Sequence, residues 1–68
     1  MIQYAVTLKN GEWTVFEGGK VVAGGLSRSA AIETAERLAF IAEENGHAVE
    51  LLIQDYNGEL KERRSFGI

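Results

Sequence analysis

The sequence predicts an α+β domain, βββαββ in order, with one helix packed on one face of a five-stranded mixed sheet. Three observations predict it. The dipeptides Asn10-Gly11 and Gly18-Gly19 divide the first part of the chain into short stretches of strand character joined by tight turns. Only Ser27 to Asn45 keeps an apolar stripe at the helical repeat of about 100° per residue. Beyond it, a run apolar on both faces and a heavily charged run flank Asn57-Gly58, as an interior and an edge strand would.

In the first strand Ile2, Tyr4, Val6 and Leu8 share one face, while Gln3, Ala5, Thr7 and Lys9 share the other. Asn10 and Gly11 both tolerate positive φ, so a two-residue type I′ turn fits there and fixes the register. Lys9 then faces Glu12, Leu8 faces Trp13, Val6 faces Val15 and Ala5 faces Phe16, which matches apolar with apolar and opposes charges at the turn. The same arithmetic through Gly18-Gly19 pairs Glu17 with Lys20, Phe16 with Val21 and Val15 with Val22. The third strand, Lys20 to Ala23, is expected to fade into Gly24-Gly25, which suits an edge.

On the helix, Leu38, Ala31, Ala42, Ala35, Ala39 and Ile32 form one arc, and Glu33, Glu36, Arg37, Glu43 and Glu44 take the opposite side. The alanines favour helix and let its axis approach a support closely. A flat sheet is such a support, whereas a helix bundle would call for Leu or Ile at those positions. Ser27 or Ser29 supplies the N-cap, and Asn45-Gly46 the stop. Phe40 breaks the pattern, lying about 180° from the centre of the apolar arc.

After the helix, Ala48 to Tyr56 holds Val49, Leu51, Leu52 and Ile53. The turn that follows is either the two residues Asn57-Gly58 or a longer loop that includes Tyr56 and shifts the register by one. Leu60 to Phe66 is the charged edge. Two sheet orders are open, 1-2-3-4-5 and 3-2-1-4-5. The second is preferred because it centres the two most apolar strands. It requires a parallel pair between strands one and four, joined by the helix in a right-handed crossing.

Sixty-eight residues make one domain, 1–68. A chain this size buries only about 60% of its unfolded surface, so association would help it. Its net charge of −3 comes from ten acidic against seven basic residues, the reverse of what a general nucleic-acid binder shows. Met1-Ile2-Gln3-Tyr4 lacks the features of a signal start, and no run approaches the roughly 20 apolar residues of a membrane span. With no cysteine either, the expected setting is the cytoplasm, without membrane contact.

The chemistry-bearing residues are sparse. His47 is the single histidine, and a metal site needs three or four ligands. Glu33 with Glu36, and Glu43-Glu44, lie on the solvated helix face, whereas catalytic carboxylates need a pocket that shifts their proton affinity. Ser27, Ser29 and Ser65 have no neighbouring base, and the glycine pairs match no phosphate-binding motif. The expectation is therefore no catalytic residue, no metal, no cofactor and no enzymatic activity.

Trp13-Thr14-Val15, then Ala31-Ile32, Ala35, Leu38-Ala39 and Gly46, and finally Asn57-Gly58-Glu59-Leu60-Lys61-Glu62-Arg63-Arg64-Ser65-Phe66-Gly67 form a set that covers nearly the whole chain. It resembles a family of small bacterial domains of unknown function whose ending reads roughly D-G-x-I-x-E-R-x-S-Y-G. Asn57, Leu60 and Phe66 depart from that ending conservatively. The resemblance supports the architecture and implies no mechanism.

Function is then expected on a surface. Ala5, Phe16 and Val21 line up across three strands on the face opposite Trp13. Leu52 joins them if Val49, Leu51 and Ile53 face the helix. Thr7, Thr14, Lys9 and Glu12 form a polar rim, the anatomy of an interaction site. The leading expectation is a protein-interaction module that self-associates, most simply as a two-fold homodimer, or takes a small protein partner. The alternative is nucleic-acid binding through Lys61, Arg63 and Arg64, with Tyr56 or Phe66 stacking on a base. Trp13 is expected to pack with Val6, Leu8 and Val15 under the alanine face.

Overall fold

The computed structural model describes residues 1–67. Its elements are β1 (Ile2–Lys9), β2 (Glu12–Glu17), β3 (Lys20–Leu26), α1 (Arg28–Glu44), β4 (Val49–Gln54) and β5 (Leu60–Phe66). They form one five-stranded sheet in the order β3-β2-β1-β4-β5, with α1 across one face. This is the preferred of the two orders. β1 and β4 run parallel, pairing Ile2 with Val49, Tyr4 with Leu51 and Val6 with Ile53, and the other neighbours are antiparallel. Where the parallel ladder ends, the side chain of Gln54 accepts the Leu8 N–H at 3.2 Å, so β1 can run on past its partner without losing that bond.

The alternation read from β1 holds. Tyr4 and Val6 are buried beside Trp13 and Val15 of β2 and Val49, Leu51 and Ile53 of β4, with Ile2 and Leu8 packed against them. Ala31, Ala35, Ala39 and Ala42 of α1 complete this core, and Ile32 and Leu38 flank it. Ser27 caps the helix, its Oγ accepting the Ala30 N–H at 3.2 Å. At the other end Gly46 N–H reaches the Glu43 carbonyl at 2.9 Å and His47 N–H the Ala42 carbonyl at 3.1 Å, the two bonds of a Schellman stop. The hydroxyl of the core residue Tyr4 titrates above the ordinary tyrosine range, first because partial desolvation disfavours the phenolate and then because the Glu17 carboxylate is beside it.

Two details of β3 differ from expectation. Val15 faces Ala23 rather than Val22, and the strand continues to Leu26 instead of fading at Ala23. The register shifts twice between β2 and β3, and Gly25, at φ +67°, provides one of the bends. These irregularities bring Leu26 opposite Trp13, against the core, so burial outweighs the weak strand propensity of two glycines. The last turn takes the longer of the two forms. Asp55 N–H bonds the Glu59 carbonyl, and Asp55 Oδ1 accepts N–H groups from Asn57 and Glu59, which leaves Tyr56 inside the loop. A register shift between Ile53 and Gln54 then cancels the extra loop residue, so that from Ile53–Glu62 to Val49–Phe66 the strands pair as the two-residue turn would have paired them.

Gly67 closes the sheet onto the helix exit. Its φ is +75°, and a Cβ built there would lie 2.4 Å from the His47 carbonyl oxygen and 3.3 Å from Glu43 Cγ. Alanine at this position meets a left-handed backbone cost of about 1–2 kcal/mol as well as the collision. Gly67→Ala is therefore expected to lift the end of β5 and release Phe66 from its packing against the core. Amide hydrogen exchange should rise at residues 64–67 and stay unchanged in α1; protection retained at Phe66 would refute the lock.

Candidate functional site

The sheet face away from α1 carries the residues singled out by alternation. Register places Val21 opposite Phe16, Phe16 opposite Ala5, Ala5 opposite Leu52, and Leu52 opposite Arg63. Directly paired residues point to the same side of a sheet, so these five make one row across all five strands. The structure thus brings Ala5, Phe16, Val21 and Leu52 together as expected. Val21 is 57% exposed and the other three are half-buried. Thr7 and Thr14 flank the row on one side, Gln3 and Glu50 on the other.

Arg63 ends the row, and its charge is held. Its Nε lies 3.5 Å from Glu50 Oε2, while Gln3 Nε2 donates to Glu50 Oε1 at 2.8 Å. The guanidinium therefore adds width to the row without leaving an isolated cation there. Sequence reasoning missed this fifth member. Identifying it required the register of the last hairpin, which the sequence left open between two loops.

The three basic residues of β5 do not form one patch. Arg64 pairs with Leu51 and so shares the helix side, where Nη1 donates to Glu36 Oε2 at 2.9 Å. Its Nε is 2.8 Å from Glu62 Oε2, a close contact of opposite charges that is not aligned as a hydrogen bond. Arg63 is on the other face, and Lys61 is exposed on the edge strand.

Two recesses lie on the helix side. An open cleft of about 450 Å³ at the start of α1 is lined by Ser27, Arg28, Ser29, Ile32, Glu33, Glu36 and Tyr56. Arg28 is committed there: its guanidinium lies 5.4 Å from the centre of the Trp13 ring and 5.6 Å from that of Tyr56, and Nη2 donates to the Gln54 carbonyl. Ser27 Oγ is occupied by the helix cap. A smaller groove of about 190 Å³ between α1 and β5 is walled by Phe40, which is 60% exposed, and Phe66, with Glu36, Glu43 and Arg64 around them.

His47 is exposed just beyond the helix. Among the described residues no three His, Asp or Glu side chains converge as a metal site requires, and no helix is long and apolar enough to cross a membrane. What the open face presents is packing surface with a neutralised charged end. A family model described as an uncharacterized protein conserved in bacteria matches residues 4–66, in line with the resemblance read from the sequence. No curated protein and no solved structure matches the chain.

Proposed function

We propose, for a chain that belongs to the DUF2188 family of uncharacterized bacterial proteins, a non-enzymatic role as an interaction module that self-associates through the open sheet face. The observation that carries this reading is the row Val21–Phe16–Ala5–Leu52–Arg63, continuous across five strands on a face that no helix covers. A single helix leaves one side of the sheet to water, and that side holds an aromatic and two branched aliphatics in line. Five strands spaced about 4.8 Å apart and about 20 Å long give a footprint of roughly 480 Å² per chain. Two chains would then bury on the order of 1,000 Å², the lower end of specific interfaces. A second copy suits this area: the result is a dimer that dissociates on dilution.

Nucleic-acid binding through Lys61, Arg63 and Arg64 has less support. Both arginines already lie against glutamate carboxylates, and a phosphate would have to displace them.

Light scattering after size separation, over low to high micromolar protein, tests the reading. The parent is expected to shift from monomer mass toward dimer mass. Phe16→Glu, which places a charge at the centre of the row, is expected to weaken the dimer roughly thirtyfold or more, the loss of one interface hot spot. A parent that stays monomeric at high micromolar concentration overturns self-association.

A further inference from the structure

We infer that the groove between α1 and β5 is a docking site for an arginine side chain carried by a partner protein, received between Phe40 and Phe66. This surface is on the helix side of the sheet, so it does not depend on self-association through the open face. Glu36, Phe40 and Glu43 succeed one another at helical spacings of four and three residues, which sets them in one stripe along α1. Arg64 and Phe66 of β5 are on the same side of the sheet, being paired with the buried Leu51 and Val49. The two phenylalanines wall a recess of about 190 Å³. That is below the roughly 300–1,000 Å³ of small-molecule sites and suits a single side chain.

Charge identifies the occupant. The one guanidinium in the groove wall, that of Arg64, is already shared by Glu36 at 2.9 Å and Glu62 at 2.8 Å. Glu43 has no cation partner among the described residues. Glu43 and Glu44 also stand in the last turn of α1, which holds no basic residue and where the helix dipole is already negative. The groove is therefore short of positive charge, and it repels phosphates and acidic peptides. A neutral side chain would cover carboxylates without offsetting them. A guanidinium meets both needs, because its plane stacks on an aromatic ring while its edge donates to carboxylates. The fold makes this contact with its own residue at the start of α1, where Arg28 lies 5.4 Å from the Trp13 ring centre and 5.6 Å from that of Tyr56. Among the described residues no cation lies over Phe40 or Phe66 in that way. β5 is an edge strand, so its outer backbone groups are open to the extended chain that carries the arginine.

The probe is a blocked pentapeptide, Gly-Leu-Arg-Leu-Gly, titrated into the isotope-labelled full chain and followed by amide NMR shifts. Shifts are expected at residues 36–43 and 62–66, with a Kd in the millimolar range that suits one anchoring side chain. Citrulline in place of the arginine keeps the shape and removes the charge, and is expected to weaken binding at least about fivefold. Free arginine, which brings a carboxylate of its own, is expected to bind no better than the citrulline peptide. Phe40→Ala and Glu43→Gln change exposed residues, so the fold is retained, and each is expected to weaken the arginine peptide about threefold to fivefold. An arginine peptide that moves no groove amide at millimolar concentration overturns the inference, as does a citrulline peptide that binds equally well. Binding unchanged in both variants places the peptide elsewhere and overturns it too. Shifts of the same amides on diluting the protein alone would assign the groove to a second copy instead.

Discussion

Trp13→Ala is expected to cost about 3–5 kcal/mol, the usual range for truncating a buried tryptophan. Trp13 is 4% exposed and stands opposite Leu8 on one side and Leu26 on the other. Tyr56 meets its ring edge-on at 5.5 Å, and the Arg28 guanidinium lies over it. Truncation therefore opens a cavity and also strips cover from an arginine whose buried Nε has no acceptor among the described residues. A 68-residue domain holds roughly 3–10 kcal/mol in all, at about 0.05–0.15 kcal/mol per residue. The variant should be partly unfolded at room temperature, or melt at least about 12 °C below the parent, given about 4–8 °C per kcal/mol at this size. Thermal melting followed by circular dichroism decides it. A melt within a degree or two of the parent would show that Trp13 contributes little to the core. Loss of the cleft at the start of α1 should accompany unfolding, because Arg28 and Tyr56 stand on the same ring.

Most of this architecture was legible in the sequence because local signals and burial agree. Asn10-Gly11 fixes the first hairpin, and every pairing read from it recurs in the structure, from Lys9–Glu12 to Ala5–Phe16. The helix boundaries follow from Ser27 and Asn45-Gly46, and the sheet order from the two-sided apolarity of Val49 to Ile53. The limits were at irregular positions. A bulge carries no sequence mark beyond its glycines, so the second hairpin drifts from the expected register after Phe16–Val21. The last turn hides its length because Asp55 and Asn57 both close it with side-chain bonds that a dipeptide rule does not count.

The candidate site was legible to the same extent. Ala5, Phe16 and Val21 follow from two turns, and Leu52 from one facing assignment. Arg63 depended on a register that only the folded hairpin supplies. The pairs of Arg63 with Glu50 and of Arg64 with Glu36 were not legible, since those carboxylates lie far from them in the chain; only Glu62, two residues from Arg64 on the same strand, is a partner that the sequence itself places nearby. A run of basic residues in sequence is therefore poor evidence for a basic surface here. Strand alternation sends the two arginines to opposite faces, and each face supplies its own carboxylate.

Adjacent leucines on β4 separate the core from the proposed contact in one experiment. Leu51 is fully buried between the sheet and α1, so Leu51→Ala is expected to cost about 2–5 kcal/mol whatever the protein concentration. Leu52 is half-buried on the other face. At concentrations where the chain is monomeric, Leu52→Ala loses only part of a side chain's burial, about 1 kcal/mol or less on an area basis. Dimerisation stabilises the folded parent by mass action, so its unfolding midpoint should rise with concentration. Leu51→Ala keeps the open face and should rise in parallel with the parent, leaving its deficit constant. Leu52→Ala weakens the contact and should fall progressively further behind. Urea titrations at low and high micromolar protein measure both deficits. A Leu52→Ala deficit that does not grow with concentration would mean that the open face contributes nothing to self-association. A Leu51→Ala deficit below that of Leu52→Ala at low concentration would reverse the facing of β4, and with it the row from which the proposed function is argued.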